Sequence, residues 1–202
     1  MHTEAIDKDG RETVCFLPTR LHEKYVEYLQ THNPKPFPSS EFPSVTTLYE
    51  AILRRFSRKS LLRTHEPSAF SKPEFKFHEE WYRVFNSLAG RGVAISSEWT
   101  FAGEGCVDFR IKEPGWGVEI LQDGDRLDKH CKRFLPDGSY NGWVSEGILN
   151  DWLILDCRHT VPERYEIEGT NLWRVIFKED YSSANVLNCD NEIIAPEFPL
   201  LD

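Results

Sequence analysis

The pattern of apolar and polar residues divides the chain into a helical part and a part that mixes helices with strands. Apolar residues recur at helical spacing over residues 21–30 and again over residues 44–62, where Ser44 is a candidate N-cap. The NPKPFP run between them excludes a helix, because proline lacks the backbone donor. The THEPSAFSKPE stretch predicts a linker, so we expect a helical extension over residues 1–72 and a domain over residues 73–202.

The second part predicts a helix, three strands, a helix and a strand in that order. FKFHEEWYRVFNSLAG places its apolar side chains on one helical stripe that can end at Gly90. Short apolar runs predict strands at 93–99, 106–111 and 116–121, and DRLDKHCKRFL returns to helical spacing. Further strands are predicted at residues 151–157, 172–177 and 184–188. This order indicates an α/β fold.

Composition narrows the classes of function. The 202 residues suffice for one domain with a full core, and the formal net charge of −9 gives no global basic signature. Five scattered cysteines without a CxxC pair favour a reducing intracellular compartment over a disulfide framework or a zinc cluster. No apolar run approaches the roughly 18 residues that span a bilayer, and the polar start is not typical of a secretory signal. We therefore expect no membrane partner.

Two carboxylates stand inside adjacent predicted strands, Asp108 in VDFRI and Glu119 in WGVEIL. A carboxylate in a strand core is costly unless something pairs with it or binds it. If the Pro-Gly pair between the strands centres a two-residue turn, Arg110 faces Glu119, and the carboxylates lie diagonally, roughly 7–8 Å apart. A hydrated divalent metal could bridge that gap. The alternative is an ion pair between Arg110 and Glu119, with Asp108 on a solvated face.

The two flanking helices add candidate groups. Glu80 lies at the edge of the apolar stripe of the first helix and could lean toward the sheet as a third acid, or remain a solvated flank residue. In the later helix, His130 and Arg133 lie on one side, where they could contact a phosphate or activate water. The alternative is an ordinary exposed helix flank.

A basic cluster precedes the linker. The segment LRRFSRKSLLR contains no acid and could form a phosphate-binding face in an acidic protein, or a solvated helix face that straddles two rows. Its basic residues are Arg54, Arg55, Arg58, Lys59 and Arg63. Trp143, in a Gly-flanked loop, is a candidate for base stacking.

Several of these runs together resemble a known family. The pieces FSRKSLL, EEWYR, VDFRI, WGVEILQDGDRLDKHCKRF, DWLILDCR and LWRVIFKEDY, spread over residues 48–190, look like the C-terminal module of Crinkler-type effector proteins of filamentous pathogens and fungi. The resemblance implies a restriction-endonuclease-like fold of the PD-(D/E)XK nuclease superfamily. Its core of helix, three-strand meander, helix and strand would here carry extra C-terminal strands and an N-terminal helical extension.

The resemblance also implies roles for particular residues. In the family the hairpin Asp and Glu bind magnesium, or manganese, and a helical Glu assists, which corresponds here to Asp108, Glu119 and Glu80. The superfamily usually has a lysine two residues after the hairpin Glu, and this chain departs from that pattern with Leu121. Gln122 follows, and strand alternation directs it to the opposite face. Either the catalytic cation comes from elsewhere in the chain, or the site is weak or inactive.

The helix after the hairpin offers that cation. The family's pattern of Leu, His, Arg and Phe matches Leu127, His130, Arg133 and Phe134. Lys129 and Lys132 are also available, but the family match and the helical wheel favour His130 and Arg133.

The first hypothesis is therefore a magnesium-dependent DNA endonuclease acting on duplex DNA, located in a host nucleus if the protein is a secreted effector. A second is a catalytically degraded module that binds nucleic acid or a host nuclear protein without cleavage, which Leu121 and the acidic composition favour. A third is toxicity through a protein interface, with the acids serving stability only. Related proteins often carry an upstream P-loop ATPase, but this chain has no GxxxxGK[ST] motif.

Overall fold

The protein is represented by a computed structural model, which describes residues 4–6, 12–14, 27–28, 32–63, 75–101, 105–166 and 169–202. The helix expected over residues 21–30 lies outside these residues apart from Glu27 and Tyr28, which are helical. The expected linker and the domain boundary at residue 72 also lie outside them.

The described chain alternates helices with short strands. The helices with defined bounds are α1 (Val45–Leu53), α2 (Arg58–Leu61), α3 (Phe75–Ala89), α4 (Leu127–Arg133) and α5 (Asn141–Ser145). The strands are β1 (Glu4–Ile6), β2 (Glu12–Val14), β3 (Ile95–Trp99), β4 (Val107–Ile111), β5 (Trp116–Gln122), β6 (Asp151–Arg158), β7 (Leu172–Phe177), β8 (Ser183–Leu187) and β9 (Ile193–Pro199). The pattern did not predict β1, β2, α5 and β9.

One mixed sheet of seven strands forms the centre of the fold, with β3 to β9 in sequential order. The strands β3, β4 and β5 form an antiparallel meander, β5, β6 and β7 run parallel, and β8 and β9 return antiparallel. A separate two-stranded sheet pairs β1 with β2. The α/β class and the three-strand meander expected from the sequence are confirmed.

The helix expected over residues 44–62 is two helices. Ser44 caps α1 as expected, since its side chain accepts from the Thr47 amide. The helix stops at Leu53, and Ser57 starts α2 as a second N-cap. The Ser57 amide donates to Glu80, and the Arg58 amide donates to the Leu201 carbonyl. These tertiary partners take donors that a continuous helix would use internally.

Helices cover both faces of the sheet. On one face, the expected stripe of α3 is buried at Phe77, Trp81, Val84 and Phe85 against a core that α1 and α2 share. The helices before residue 72 and the sheet therefore bury apolar surface together. On the other face, α4 and α5 pack over Leu121 in a second cluster. Trp143 of α5 lies in that cluster, 2% exposed, so it is not available to stack on a base.

The β4–β5 turn differs from the expected two-residue turn. Ile111 pairs with Trp116 and Arg110 with Gly117, so four residues, 112–115, form the connection. Asn150 holds this turn, because its amide donates to the Gly115 carbonyl and its side chain to the Pro114 carbonyl. Gly115 has a φ of 82°, and a Cβ there would lie 2.7 Å from the Asn150 side chain. The expected pairing of Arg110 with Glu119 is therefore wrong.

Among the residues that the structure describes, no helix combines the length and apolar character needed to cross a lipid bilayer.

Candidate active site

Asp108 lies where β4 and β5 separate. The last paired residues at this end of the ladder are Phe109 and Val118, and the Asp108 carboxylate accepts the Ile120 amide at 2.7 Å. Asp108 and Glu119 are the next residues of the two strands beyond this last pair, and the charge of Glu119 acts on Asp108, so the two carboxylates are neighbours at this end of the hairpin. Burial raises the pKa of the Asp108 carboxyl; His78 opposes this, and the charge of Glu119 adds to it.

Glu119 points to the α4 face and is only 1% exposed. Its Oε2 lies 2.8 Å from His130 Nδ1, and its Oε1 accepts from an Arg133 guanidinium nitrogen at 3.1 Å. Tyr140 Oη also lies 3.1 Å from Oε1. A buried carboxylate is tolerated only when it is paired and hydrogen-bonded, and here both oxygens have donors.

His130 and Arg133, which were expected beside the carboxylates, are brought to Glu119 by one turn of α4. Because Nδ1 faces the carboxylate, we assign the proton of the neutral ring to Nδ1. His130 Nε2 is buried and has no hydrogen-bond partner within the described part of the chain. A histidine in this state presents an unprotonated nitrogen that can accept a proton or a ligand.

Tyr140 completes this cluster and was not anticipated. Its hydroxyl donates to the Cys106 carbonyl at 2.6 Å and accepts from Arg133 at 3.2 Å. Burial, and next the charge of Glu119, raise the pKa of Tyr140, so the hydroxyl stays protonated at neutral pH. No sequence signal marked Tyr140, because it lies in the FLPDGSY segment between α4 and α5, which has no periodic pattern.

His78 was also missed, and it approaches Asp108 from the opposite face. Its Nε2 lies 3.4 Å from Asp108 Oδ2 and 3.2 Å from the Ile120 carbonyl oxygen. Its ring meets Phe109 edge to face, with 5.8 Å between the ring centroids. The sequence did contain a signal for His78, because His78 lies at the edge of the α3 apolar stripe opposite to Glu80.

Glu80, the third acid expected at the site, lies elsewhere. It is 2% exposed, and its carboxylate accepts from Arg83 at 2.6 and 2.8 Å and from the Ser57 amide. This pairing raises the pKa of the Arg83 guanidinium. Residues 78 and 80 are about 200° apart around a helix, so only one of them can face the hairpin. Glu80 therefore connects α3 to α2, and the structure places it apart from the two hairpin carboxylates.

Leu121 stands at the position of the expected lysine, and its surroundings in the fold are apolar as well. Leu121 is buried in the cluster beneath α4, on the same face as Glu119. Gln122 lies on the other face, as strand alternation required, and its amide contacts Asp123 at 3.3 Å. Arg110 is occupied by the Ile148 carbonyl and stacks on Trp99. The cations closest to Glu119 are thus those of α4.

The basic cluster is only partly available. Arg54 pairs with Glu50 and stacks on Phe198, and Arg58 pairs with Asp180. Arg55, Lys59 and Arg63 are the members whose side chains have no ion pair or hydrogen bond among the described residues. Exposed pairs contribute only about 0–1 kcal/mol, so Arg54 and Arg58 could still exchange their acids for a phosphate.

An open cavity of about 640 Å³ flanks the Tyr140 side of the site. Its walls are mostly small residues and backbone, namely Gly105, Pro136, Asp137, Gly138, Ser139, Asn141 and Gly142. Gly105 has no room for a side chain, because a Cβ would lie 2.5 Å from the Tyr140 ring.

By donor type, the side chains of this site suit a hard divalent cation. Asp108, Glu119 and the Ile120 carbonyl supply oxygens of the kind that Mg²⁺ prefers. No cluster of three or more His, Cys, Asp or Glu side chains suited to a metal occurs in the described ranges. The two hairpin carboxylates fit such an ion by chemistry, and Glu119 can offer its Oε1 if Arg133 and Tyr140 release that oxygen while His130 keeps Oε2.

Comparison with known proteins gave no matching family model, no matching curated protein and no matching solved structure.

Proposed function

We propose that this chain hydrolyses phosphodiester bonds of DNA as a magnesium- or manganese-dependent endonuclease with a restriction-endonuclease-like core. The observation that supports this most is the meeting of Asp108 and Glu119 at one end of the β4–β5 hairpin, with His130 and Arg133 on Glu119. The sequence resemblance to the Crinkler-type module and the meander of β3, β4 and β5 support it as well.

In this proposal the two hairpin carboxylates, His130 and Arg133 each have a separate role. Asp108 and Glu119 would hold the ion, which when bound supplies Lewis-acid charge and an acidified water. His130, with Nδ1–H held by Glu119, accepts a proton at Nε2. Arg133, whose side chain is 20% exposed, donates to the phosphate oxygens in place of the lysine that Leu121 replaces.

A cleavage assay on supercoiled plasmid tests this proposal. Asp108→Ala and Glu119→Ala should each eliminate nicking with magnesium or manganese, since each removes a carboxylate that would hold the ion. Arg133→Ala should slow nicking by about a hundredfold, the usual loss when one positioned donor is removed. Glu113→Gln, an exposed change in the turn at the far end of the hairpin, is the matched control and should cut like the wild type.

A second function is favoured by the state of Glu119, whose two oxygens already have protein donors. In that case the chain is a degraded nuclease module that binds DNA or a host nuclear protein without cutting. Intact duplex affinity without cleavage by any of the purified proteins, with either metal, would decide for this function. Under both functions we place the protein in a host nucleus if it acts as a secreted effector.

A further inference from the structure

A second cluster of titratable side chains stands at the carboxyl ends of β6 and β7. The Tyr181 hydroxyl accepts from Lys76 Nζ at 2.6 Å and lies 3.0 Å from His159 Nε2. The three residues come from the first turn of α3, the segment after β6 and the turn between β7 and β8. Only the tertiary fold brings them to one oxygen atom.

The backbone of Tyr181 is held in an unfavourable conformation. Its φ is 53°, in the left-handed region that a bulky L-residue rarely adopts. The side chain is 5% exposed and packs on Phe177, with 5.5 Å between the ring centroids. Conformations of this kind cost free energy and concentrate at ligand sites and switch regions. Here the conformation aims the hydroxyl between Lys76 and His159.

The cluster is positively charged and incompletely paired. No carboxylate forms an ion pair with Lys76 in the part of the chain that the structure describes, and the nearby Asp180 is occupied by Arg58 and the Ser182 amide. Polar atoms without partners are exceptional inside folded proteins. His159 Nδ1 is such an atom, buried and without a partner among the described residues.

This cluster lies on the same edge of the sheet as Asp108. His78 extends from one flank of α3 to Asp108, and Lys76 extends from the other flank to Tyr181. Between them, the pairing of β5 with β6 ends at Gln122 and Cys157. The carboxyl ends of parallel strands are the edge at which α/β sheets bind ligands.

We propose that Lys76, Tyr181 and His159 form a phosphate-binding subsite for a nucleic acid strand whose neighbouring phosphodiester lies beside Asp108. An ammonium, a phenolic hydroxyl and an imidazole N–H are all donors to phosphate oxygens, and the first carries the complementary charge. Strand binding at this subsite does not require cleavage. The identification of the phosphate as that of a nucleic acid rests on the proposed function.

Duplex binding measured by fluorescence anisotropy in EDTA over a salt series tests the subsite without any cleavage. Lys76→Met keeps an unbranched side chain of similar length but removes the charge, which lies over the rings of Phe77 and Tyr181. It should weaken binding about tenfold, the loss of one charge-assisted hydrogen bond. It should also reduce the slope of log K against log salt by about 0.9.

Two further variants separate binding from folding. Tyr181→Phe keeps the ring packing and removes only the hydroxyl, so it should weaken binding while the thermal melt stays close to that of the wild type. Lys112→Met makes the same charge change in the exposed β4–β5 turn, at the opposite edge of the sheet. It should leave affinity and slope unchanged.

The outcomes distinguish this subsite from the proposed enzyme. A reduced slope for Lys76→Met in a protein that never cuts DNA supports the subsite and contradicts the nuclease. Normal cutting with an unchanged slope for Lys76→Met overturns the subsite alone. A wild-type protein that binds neither duplex nor single-stranded DNA overturns both the subsite and the proposed action on DNA. Displacement of the bound strand by millimolar inorganic phosphate in the wild type, with equal duplex affinity in Lys76→Met, would assign the cluster to free phosphate and also overturn the proposal.

Discussion

Replacing Glu119 by glutamine should destabilise the protein, whereas the same kind of change at Asp108 should not. Glutamine keeps the shape of the side chain and one oxygen for Arg133, but it removes the charge that both His130 and Arg133 face. Hydrogen bonds to a charged group contribute roughly 1.5–3 kcal/mol, against roughly 0.5–1.5 kcal/mol for neutral ones. Two weakened bonds therefore correspond to about 2–3 kcal/mol.

The exposure of Arg133 limits this loss. Breaking a fully buried ion pair costs roughly 3–5 kcal/mol, because the remaining charge stays unpaired in the interior. The Arg133 side chain is 20% exposed, so water can hydrate part of its charge once Glu119 is neutral. We therefore expect about 2–3 kcal/mol, which corresponds to a fall in Tm of about 5–10 °C for a chain of this size.

Urea and thermal unfolding followed by circular dichroism measure this difference. Glu113→Gln, an exposed change of the same chemistry, should stay within about 0.5 kcal/mol of the wild type. In a double-mutant cycle with Arg133→Met, the two changes should cost less together than the sum of each alone. An unchanged or increased stability of Glu119→Gln would refute the reasoning, because it would mean that the pairing with His130 and Arg133 contributes nothing in solution.

The remaining predictions concern Asp108, metal and nucleic acid. Because burial raises the pKa of Asp108, its ionisation costs stability that is absent below the unfolded-state pKa of about 4 and fully developed above the folded-state pKa. Asp108→Asn should therefore stabilise the protein at pH 7, and urea midpoints should show this gain vanishing as the pH falls to about 4; a gain that persists there would contradict it. Magnesium or manganese should raise the wild-type Tm by mass action, and calorimetry should find most of that rise lost in both Asp108→Asn and Glu119→Gln. Neutralising Arg55 and Lys59, two members of the basic cluster whose side chains have no partner among the described residues, should lower the log–log salt slope of duplex binding by about two, and an unaltered slope would place the contact elsewhere.

The sequence predicted correctly those features that depend on interactions between residues close together in the chain. Ser44 caps its helix because its side chain reaches the Thr47 amide three residues on, a contact that needs no other element. The α3 stripe and the strands from β3 to β8 follow from side-chain periodicity, since one face of each must be buried. The neighbourhood of Asp108 and Glu119 also follows, because consecutive antiparallel strands pair with each other.

The sequence could not choose between the two flanks of α3. His78 and Glu80 both border the apolar stripe, and a helical wheel does not show which flank of α3 faces the hairpin. The packing of α2 settles this, because the Ser57 amide and Arg83 hold Glu80 on one side and leave His78 to meet Asp108.

By itself, the sequence determined the α/β class, the capped and amphipathic helices, the meander and the pair of hairpin carboxylates. Each of these depends on residues that are near one another along the chain. The tertiary structure alone decided the register at the β4–β5 turn, which Asn150 holds, and the hydrogen bond from the Tyr140 hydroxyl to Glu119. It also decided the meeting of Lys76, His159 and Tyr181. These contacts join segments separated by about 20 to 105 residues, and their partners are selected by how the layers pack, which no periodicity in the chain records.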